Sequence, residues 1–400
     1  MKFLHCSDIH LGRRPVGGLG EFSQKRYEDY FNAFDFAIQV AIENNVRCFL
    51  VAGDLFDKKD LSPDILERAE ILFKKLRNSG IIPIVIDGNH DCLIGAETDS
   101  WINYLHNTKL IERPFCYFSN GQLTCNTIKI DDVEFYGLGY QGAFINEALV
   151  YLSNYLNDKK HSKNVLLVHT AISDLDPLLP GTAKKESITL LKDKVIYIAA
   201  GHFHKYYHFP MDNPYFFVPG APEHYDFGEK DYKKGFIIFD TDTKEQLFIP
   251  SKHRNCISVI FDIDSDNIND FYSAFYRNVD TLILNKNEDI VYCQINLSKS
   301  LLIDNDKCEE YLIQKGALKA IIRFVFPHED DTFSIGKMLA SVEQIECQII
   351  SKWNYFSEFA DYTTKSLSKL KNYQEANNEN LFIEEFDNLM NFIIKKQNAD

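Results

Sequence analysis

The first 250 residues alternate between short apolar runs and longer amphipathic stretches. Five apolar runs, rich in β-branched or aromatic residues, lie at residues 3–6, 48–52, 81–86, 165–168 and 195–200. Such runs are typical of strands in a sheet that is covered on both faces. Between them, residues 30–44 carry apolar side chains near a 3.6-residue period, and Ser62-Pro63 indicates the start of a second helix. The pattern therefore predicts an α/β fold.

The rest of the chain predicts a different organisation. After two further predicted strands at 215–218 and 235–239, residues 256–326 follow a β-α-β-α-β pattern, and residues 335–400 are predicted to be helical. The last predicted helix, 380–396, has an apolar stripe formed by Leu381, Phe382, Phe386, Leu389, Met390, Ile393 and Ile394. A chain of 400 residues is long enough for two or three domains. We expect domains over residues 1–250, 251–332 and 333–400.

A polar cluster directly follows each of the five strand-like runs. The clusters lie at residues 7–10, 53–54, 87–91, 169–170 and 201–204. Open α/β sheets bind ligands at the carboxyl ends of their strands, so we expect these distant clusters to meet at one edge. Each motif alone has an ordinary structural explanation, such as a turn or a hydrogen-bonded histidine. Their occurrence together, each at a strand exit, predicts one site.

The clusters supply carboxylates, an amide and imidazoles, but no thiolate. The candidate metal ligands are Asp8, His10, Asp54, Asn89, His169, His202 and His204. Asp8 and His10 would point the same way if they continued a strand, as would His202 and His204. This mixed oxygen and nitrogen set favours Mn²⁺, Fe²⁺ or Zn²⁺ over Ca²⁺. Because the carboxylate of Asp54 has two oxygens, it can bridge two ions, the arrangement used for in-line displacement at phosphorus.

Composition narrows the functional classes further. The chain has 43 Lys and Arg against 58 Asp and Glu, a net charge of −15, which excludes a basic nucleic-acid-binding module. Contact with nucleic acid would need local patches or bound metal ions. Nine cysteines without a C-x-x-C pair argue against a structural zinc knuckle, and their odd number without a secretory signal predicts a reducing cytoplasm. No apolar run approaches the ~18 residues of a membrane span, so no membrane association is expected.

Together the motifs resemble those of the calcineurin-like metallophosphoesterases, and most closely those of the Mre11/SbcD DNA-repair nucleases. The residues that carry the resemblance lie at 4–12, 52–57, 88–91, 168–169, 201–204, 219–223, 226–229 and 234–236. The resemblance covers the first 250 residues and implies a two-sheet sandwich flanked by helices. In residues 256–400 only the layout matches, which implies a small α+β capping domain and a C-terminal helical arm.

The resemblance also implies a role for each site residue. One ion would be held by Asp8, His10, Asp54 and His204, and the second by Asp54, Asn89, His169 and His202. His90 would be a non-ligand imidazole that steadies the phosphate or protonates the leaving oxygen.

Four further residues lie near the candidate ligands in the sequence. Asp57 departs from the archaeal and eukaryotic Mre11 pattern, which has histidine there, and matches the bacterial SbcD-like one. This departure leaves open the preference for exonuclease or endonuclease activity. Asp91 is expected to orient His90 or its turn. Arg13 and Arg14 are candidate phosphate contacts, although a solvated loop explains them equally well.

Three functions from different classes remain. The leading hypothesis is an Mn²⁺-dependent DNA exo/endonuclease in repair or defence. It would be a homodimer that works with an SMC-type ATPase resembling Rad50/SbcC, and its C-terminal helix would dock onto that ATPase. The alternative is a phosphoesterase of a nucleotide or another small phosphodiester, which accounts for the acidity but gives the last 150 residues no role. A non-catalytic scaffold is disfavoured because all seven candidate ligands are present.

Overall fold

The computed structural model describes residues 1–15, 20–92, 99–119, 122–159, 163–176, 178–299, 301, 303–326, 360–375 and 379–397. The chain divides into two compact units, Met1–Phe326 and Pro327–Asp400, which are treated separately. The part of the predicted helical region between residues 333 and 359 lies outside the described residues. None of the described helices is both long and apolar enough to cross a membrane.

The described strands all lie in the first unit. They are β1 (Lys2–Cys6), β2 (Cys48–Ala52), β3 (Ile82–Ile86), β4 (Phe115–Ser119), β5 (Gln122–Asn126), β6 (Ile128–Ile130), β7 (Val133–Leu138), β8 (Lys163–Val168), β9 (Tyr197–Ala200), β10 (Tyr207–Phe209), β11 (Phe216–Val218), β12 (Gly235–Asp240), β13 (Gln246–Pro250), β14 (Cys256–Ile263), β15 (Ile290–Leu297) and β16 (Lys319–Val325).

The described helices occur in both units. They are α1 (Gly20–Glu43), α2 (Pro63–Asn78), α3 (Trp101–Asn107), α4 (Ile145–Tyr155), α5 (Lys185–Thr189), α6 (Ile268–Asp280), α7 (Asn305–Gln314), α8 (Ala360–Glu375) and α9 (Glu379–Gln397). Short 3₁₀ turns cover Gly142–Phe144, Asn157–Lys159 and Phe227–Glu229.

Two mixed sheets form the body of the first unit. One has the strand order β13-β12-β1-β2-β3, and the other has the order β10-β11-β9-β8-β7-β6. In the first sheet, β1, β2 and β3 are parallel, while β12 returns antiparallel beside β1. In the second, β7, β8, β9 and β11 are parallel. The parallel strands that carry the predicted motifs thus lie next to one another in each sheet.

Alternation along the strands builds a core on each side of each sheet. Phe3 of β1 lies in the cluster between the two sheets, with Phe135 and Tyr197 from the second sheet, whereas Leu4 faces a separate cluster that includes Phe34 of α1. A third cluster joins the outer face of the second sheet to α4 and α5. The fold is therefore the two-sheet sandwich flanked by helices that the family resemblance implies, and this prediction is confirmed.

Residues 256–326 form a three-stranded parallel sheet, in the order β14-β15-β16, with α6 and α7 as crossovers. Their core includes Phe271, Phe275 and Leu312. The side chains of Asn267 and Asp304 cap the two helices by accepting backbone N–H groups. The β-α-β-α-β order is the one predicted, and these residues belong to the same compact unit as the sandwich.

Helix starts show where the sequence pattern was incomplete. The helix predicted over residues 30–44 begins earlier, at Gly20. The apolar period did not indicate this first part because Arg26 and Asp29, which are buried there as an ion pair, interrupt it. Ser62 occupies the N-cap position of α2 as predicted, but its hydroxyl donates to Asp64 at 2.5 Å instead of capping the helix.

The hairpin β4–β5 contains a disulfide that the sequence did not indicate. Cys116 and Cys125 are directly opposite in the strand register, with their Cα atoms 4.1 Å apart, and their side chains are bonded. Neither strand was among the predicted runs, so no cross-strand pairing could be inferred from the cysteine spacing.

In the second unit, α8 and α9 pack against each other. The rings of Tyr362 and Phe392 lie 4.1 Å apart, and Lys369 pairs with Glu385 at 3.2 Å. The apolar stripe predicted for the last helix is divided, because Leu389 is buried while Leu381, Phe386 and Met390 are at least 40% exposed.

Candidate metal centre

All seven predicted ligands meet at one edge of the sandwich, where the carboxyl ends of the parallel strands converge. Asp8 and His10 follow β1, Asp54 follows β2, Asn89 follows β3, His169 follows β8, and His202 and His204 follow β9. Each sheet therefore contributes to the site. Its side chains form two adjoining groups, one around His10 and His204 and the other around Asn89.

The first group contains Asp8, His10 and His204, with Asp54 beside it. The Nε2 atoms of His10 and His204 are 3.2 Å apart. His204 Nε2 is 3.9 Å from Asp8 Oδ1, and His10 Nε2 is 3.9 Å from Asp54 Oδ2. Two imidazole nitrogens and two carboxylates thus face one point, and all but His204 are almost fully buried.

The second group contains Asp54, Asn89, His169 and His202. Asn89 Oδ1 is 3.0 Å from His169 Nε2 and 2.9 Å from His202 Nδ1. His169 Nε2 also lies 3.3 Å from Asp54 Oδ2. Because the same oxygen of Asp54 approaches both His10 and His169, this carboxylate joins the two groups.

The outer nitrogens of three histidines show that the site suits cations. His169 Nδ1 donates to the carbonyl of Ala52 at 2.8 Å, and His202 Nε2 donates to the carbonyl of Pro180 at 2.7 Å. His204 Nδ1 donates to the carboxylate of Glu229 at 2.5 Å. A neutral imidazole that uses its proton on one nitrogen presents a lone pair at the other. When these imidazoles are neutral, their inner nitrogens therefore present lone pairs beside the carboxylate and amide oxygens, an arrangement that fits divalent ions.

Four site residues have left-handed backbone conformations that side chains rarely adopt. The φ angles are 54° for Asp8, 52° for His10, 49° for Asp54 and 78° for His202. The expectation that Asp8 and His10 point together because they continue a strand is therefore wrong in its reason, since β1 ends at Cys6. Tight turns at the strand exits aim these side chains, and strain of this kind is typical of functional sites.

Two glycines leave room for the ligands. A Cβ atom on Gly53 would lie 2.2 Å from Nδ1 of His169, and one on Gly88 would lie 2.1 Å from Oδ1 of Asp54. Gly53 also has a positive φ of 88°. Both positions need glycine because the backbone of one loop passes directly beside a ligand from another.

His90 and its neighbours are connected to the ligands by hydrogen bonds. Nδ1 of His90 donates to the carbonyl of Asp57 at 2.7 Å, and its backbone N–H donates to Asp54 Oδ1 at 2.8 Å. The carboxylate of Asp91 accepts the backbone N–H groups of Leu55 and Phe56, each at 2.9 Å. Asp91 also accepts the backbone N–H of Gly88 at 3.2 Å, so it links the turn that carries His90 to the loop that carries Asp54. Asp57 Oδ1 lies 3.7 Å from Nδ1 of His10.

The two candidate phosphate contacts have partners within the protein. The guanidinium of Arg13 lies 3.1 Å from the ring centroid of Tyr225 and donates to Asp57 at 3.0 Å. The guanidinium of Arg14 lies 4.3 Å from the ring centroid of Tyr27 and donates to Gln24 at 3.3 Å. Arg13 therefore links the loop that contains Asp57 to the segment that contains Tyr225. A phosphate contact by either arginine stays a prediction.

Sequence reasoning missed the residues that surround His204. Glu229 accepts from His204, from the backbone N–H of Tyr225 at 2.9 Å, and from the ammonium of Lys234. The ring of Tyr225 lies 4.7 Å from that of His10 and 5.0 Å from that of His204. The segments containing Glu229 and Lys234 were part of the family resemblance, but nothing in their spacing indicated that they reach a ligand.

Burial and ion pairing together set the protonation of the site. Burial opposes ionisation of Asp54, but pairing with His169 and His10 lowers its pKa. Burial also opposes protonation of His169, but the Asp54 carboxylate outweighs it and raises the pKa to about 9. Burial also opposes ionisation of Glu229, but His204 and Lys234 outweigh it and lower the pKa of this carboxyl group to about 2. When no metal ion is bound, protonation of His169 thus provides part of the positive charge that balances the carboxylates of the site.

Comparison with known proteins agrees with this geometry. The family profile described as calcineurin-like phosphoesterase matches residues 1–206. The DNA double-strand break repair protein Mre11 of Methanosarcina mazei is 25% identical over 333 residues, which are 80% of this chain and 49% of that protein. An uncharacterized metallophosphoesterase of Bacillus subtilis, YhaO, is 27% identical over 229 residues, or 55% of this chain and 52% of that one.

This chain thus spans about half the length of each of these two relatives. Among solved structures, a dimetal phosphatase from Danio rerio is similar with a TM-score of 0.40 and 12% identity, covering 62% of this chain and 95% of the other.

Proposed function

This chain belongs to the calcineurin-like phosphoesterase family, and on that premise we propose that it is an Mn²⁺-dependent DNA nuclease similar to Mre11 and SbcD. The family comprises metal-dependent phosphoester hydrolases with a dinuclear metal site. We propose DNA as the substrate, Mn²⁺ as the metal and an SMC-type ATPase as the partner. The observation that carries it is the complete donor set at the convergence of the two sheets, in which Asp54 joins two histidine groups.

We assign one ion to Asp8, His10, Asp54 and His204, and the other to Asp54, Asn89, His169 and His202. Two such ions would withdraw charge from the phosphodiester and activate a water for in-line attack. The chain's own contribution is to orient these groups and to place His90 beside them. With Nδ1 held by the carbonyl of Asp57, Nε2 of His90 is the nitrogen that steadies the phosphate or transfers a proton to the leaving oxygen.

The similarity to Mre11 proteins supports DNA as the substrate. The alignment with the Methanosarcina protein includes 333 residues and so extends beyond the 206 residues of the family profile. The alignment therefore also includes residues outside the part of the chain that matches the family profile. We propose that residues 256–326 act as a capping domain over the substrate and that the nuclease is a homodimer.

One observation favours the alternative, a phosphoesterase of a nucleotide or another small phosphodiester. Asp176 and Asp226 line the groove of about 450 Å³ that contains Asp54 and His90. Carboxylates at the rim repel a polyanion more strongly than a small ester. A DNA substrate would therefore depend on the charge of the bound ions and on basic groups of a partner.

The partner we propose is an SMC-type ATPase similar to Rad50 or SbcC. α9 presents Phe386 and Met390, which are four residues apart, as exposed apolar side chains. Apolar anchors at helical spacing are suited to docking in a groove or along a coiled coil.

Incubation of the purified chain and Mn²⁺ with labelled duplex DNA and with bis-p-nitrophenyl phosphate tests the proposal. We expect both to be cleaved, with DNA cleavage increased by a Rad50/SbcC-like ATPase. Cleavage of the small ester alone, with DNA intact even beside that ATPase, would favour the alternative.

A further inference from the structure

The two groups of ligands differ in what lies behind their histidines. In the second group both outer nitrogens meet uncharged backbone carbonyls, those of Ala52 behind His169 and Pro180 behind His202. In the first group His204 is backed by the carboxylate of Glu229 at 2.5 Å. Nδ1 of the second histidine of that group, His10, has no hydrogen-bond partner among the described residues, and the Asp57 carboxylate that lies 3.7 Å from it pairs with Arg13 at 3.0 Å.

The direct ligands differ in the same direction. Asp54 is shared, so the first group has Asp8 as a carboxylate of its own, whereas the corresponding oxygen donor of the second group is the neutral amide of Asn89. A carboxylate attracts a divalent ion far more strongly than an amide does, above all at a buried site of low dielectric. The direct ligands therefore place more negative charge around the first position, and the carboxylate of Glu229 is a stronger acceptor for His204 than the carbonyls are for His169 and His202.

Glu229 contacts the first group of candidate ligands through His204. One of its oxygens accepts from Nδ1 of His204, and the other accepts from the backbone N–H of Tyr225 and from Lys234. Lys234 is fully buried and also donates to the carbonyl of His204 at 3.4 Å. The ammonium stabilises the buried carboxylate from the far side, while the near oxygen fixes the tautomer of His204 and raises the basicity of its Nε2.

We infer that the two metal positions bind with unequal affinity, that the position of Asp8, His10 and His204 fills first, and that Glu229 is the positioning residue that makes it the tighter one. The inference rests on the proposed two-metal site and adds an order of filling to it. Physiologically, the chain would hold one ion firmly and exchange the other as the metal concentration changes.

The test titrates Mn²⁺ into the metal-free full chain, with calorimetry for the affinities and electron paramagnetic resonance for the free ion. We expect two events of one ion each in the unaltered protein. Glu229→Gln alone leaves Lys234 buried without its partner and can impair folding, so the Glu229→Gln/Lys234→Met pair is the main variant. It should weaken the tighter event by about 10- to 100-fold and leave the weaker event unchanged.

Two further variants assign the events. Glu223→Gln removes another buried carboxylate, one that pairs with Arg26 at 3.0 Å, and should change neither affinity. Asn89→Asp should tighten the weaker event only. Two events of equal affinity, or an equal effect of the double variant on both, would overturn the inference while the two-metal proposal stands. Binding of fewer than two ions by the unaltered chain would overturn the two-metal proposal and the inference with it.

Discussion

His10 and His204 bring their Nε2 atoms to within 3.2 Å of each other across 194 residues of sequence. Neither histidine has a neighbour in its own segment that would specify this contact. It exists because β1 and β9 lie in different sheets whose carboxyl ends meet at one edge. The candidate site is therefore a property of the whole sandwich, and its residues should respond to substitution according to the group in which they lie.

His90 should be required for hydrolysis but not for metal binding. His90→Ala is expected to retain both ions and to lower the rate of phosphodiester hydrolysis by roughly 10²–10⁴-fold, the usual contribution of acid–base catalysis. Metal content by mass spectrometry and hydrolysis of bis-p-nitrophenyl phosphate check this. His106→Ala, which alters a histidine that contacts the carbonyl of Ile111 instead of the candidate site, is the control. Loss of a full metal equivalent from His90→Ala would show that His90 is a ligand.

Asp54 should affect both ions at once. Its Oδ2 lies 3.9 Å from His10 and 3.3 Å from His169, so Asp54→Asn removes charge from both groups. We expect both Mn²⁺ affinities to fall in the same titration, together with activity. Asp57→Asn is the matched control, because the Asp57 carboxylate lies beside His10 of the first group and should affect one event. If Asp54→Asn loses one ion and remains strongly active, Asp54 does not bridge.

His5 should make the fold sensitive to acid. Its ring is fully buried between the sheets, Nδ1 contacts the hydroxyl of Tyr197 at 3.0 Å, and burial lowers its pKa to about 3. Between pH 6.5 and 3 the unfolded chain protonates this histidine and the folded chain does not, so stability falls as the pH decreases. Above pH 6.5 both states are neutral and the residue contributes no pH dependence.

His5→Gln keeps a polar partner for Tyr197 without titrating. From pH 6 to 4, the free energy of unfolding of the unaltered protein should fall more steeply than that of the variant, by up to about 1.4 kcal/mol per pH unit. Urea unfolding at several pH values measures both slopes. Parallel slopes would mean that His5 is protonated in the folded protein.

The last helix should be dispensable for chemistry. A chain that ends at residue 378 lacks α9, which lies in a separate compact unit from the metal centre. It should remain soluble, bind both ions and hydrolyse a small phosphodiester, but fail to co-purify with the ATPase. Phe386→Ser with Met390→Ser, which alters two exposed side chains of α9, should reproduce the loss of co-purification in the full-length chain. An insoluble or metal-free truncated protein would place the helix in the protein's own core.

Much of the site could be predicted because each ligand directly follows a short apolar strand. The five motif-bearing strands and the convergence of their exits needed only local patterns. The half-exposed strands β4, β5 and β6 have no such signal, and their absence from the prediction also concealed the Cys116–Cys125 bond. Glu229 was missed for another reason, since its contact with His204 depends on a loop path that no periodicity records.

The position of β1 in its sheet has a consequence for biosynthesis. β1 pairs with β2 on one side and with β12, more than 200 residues later, on the other. Until residue 240 has left the ribosome, one edge of β1 has no partner and can pair with other chains. All seven candidate ligands precede β12 in the chain, so the nascent protein holds the whole candidate donor set before the sheet that must position it is closed. A divalent ion that meets these donors during synthesis would therefore meet them on a chain that still needs protection from aggregation.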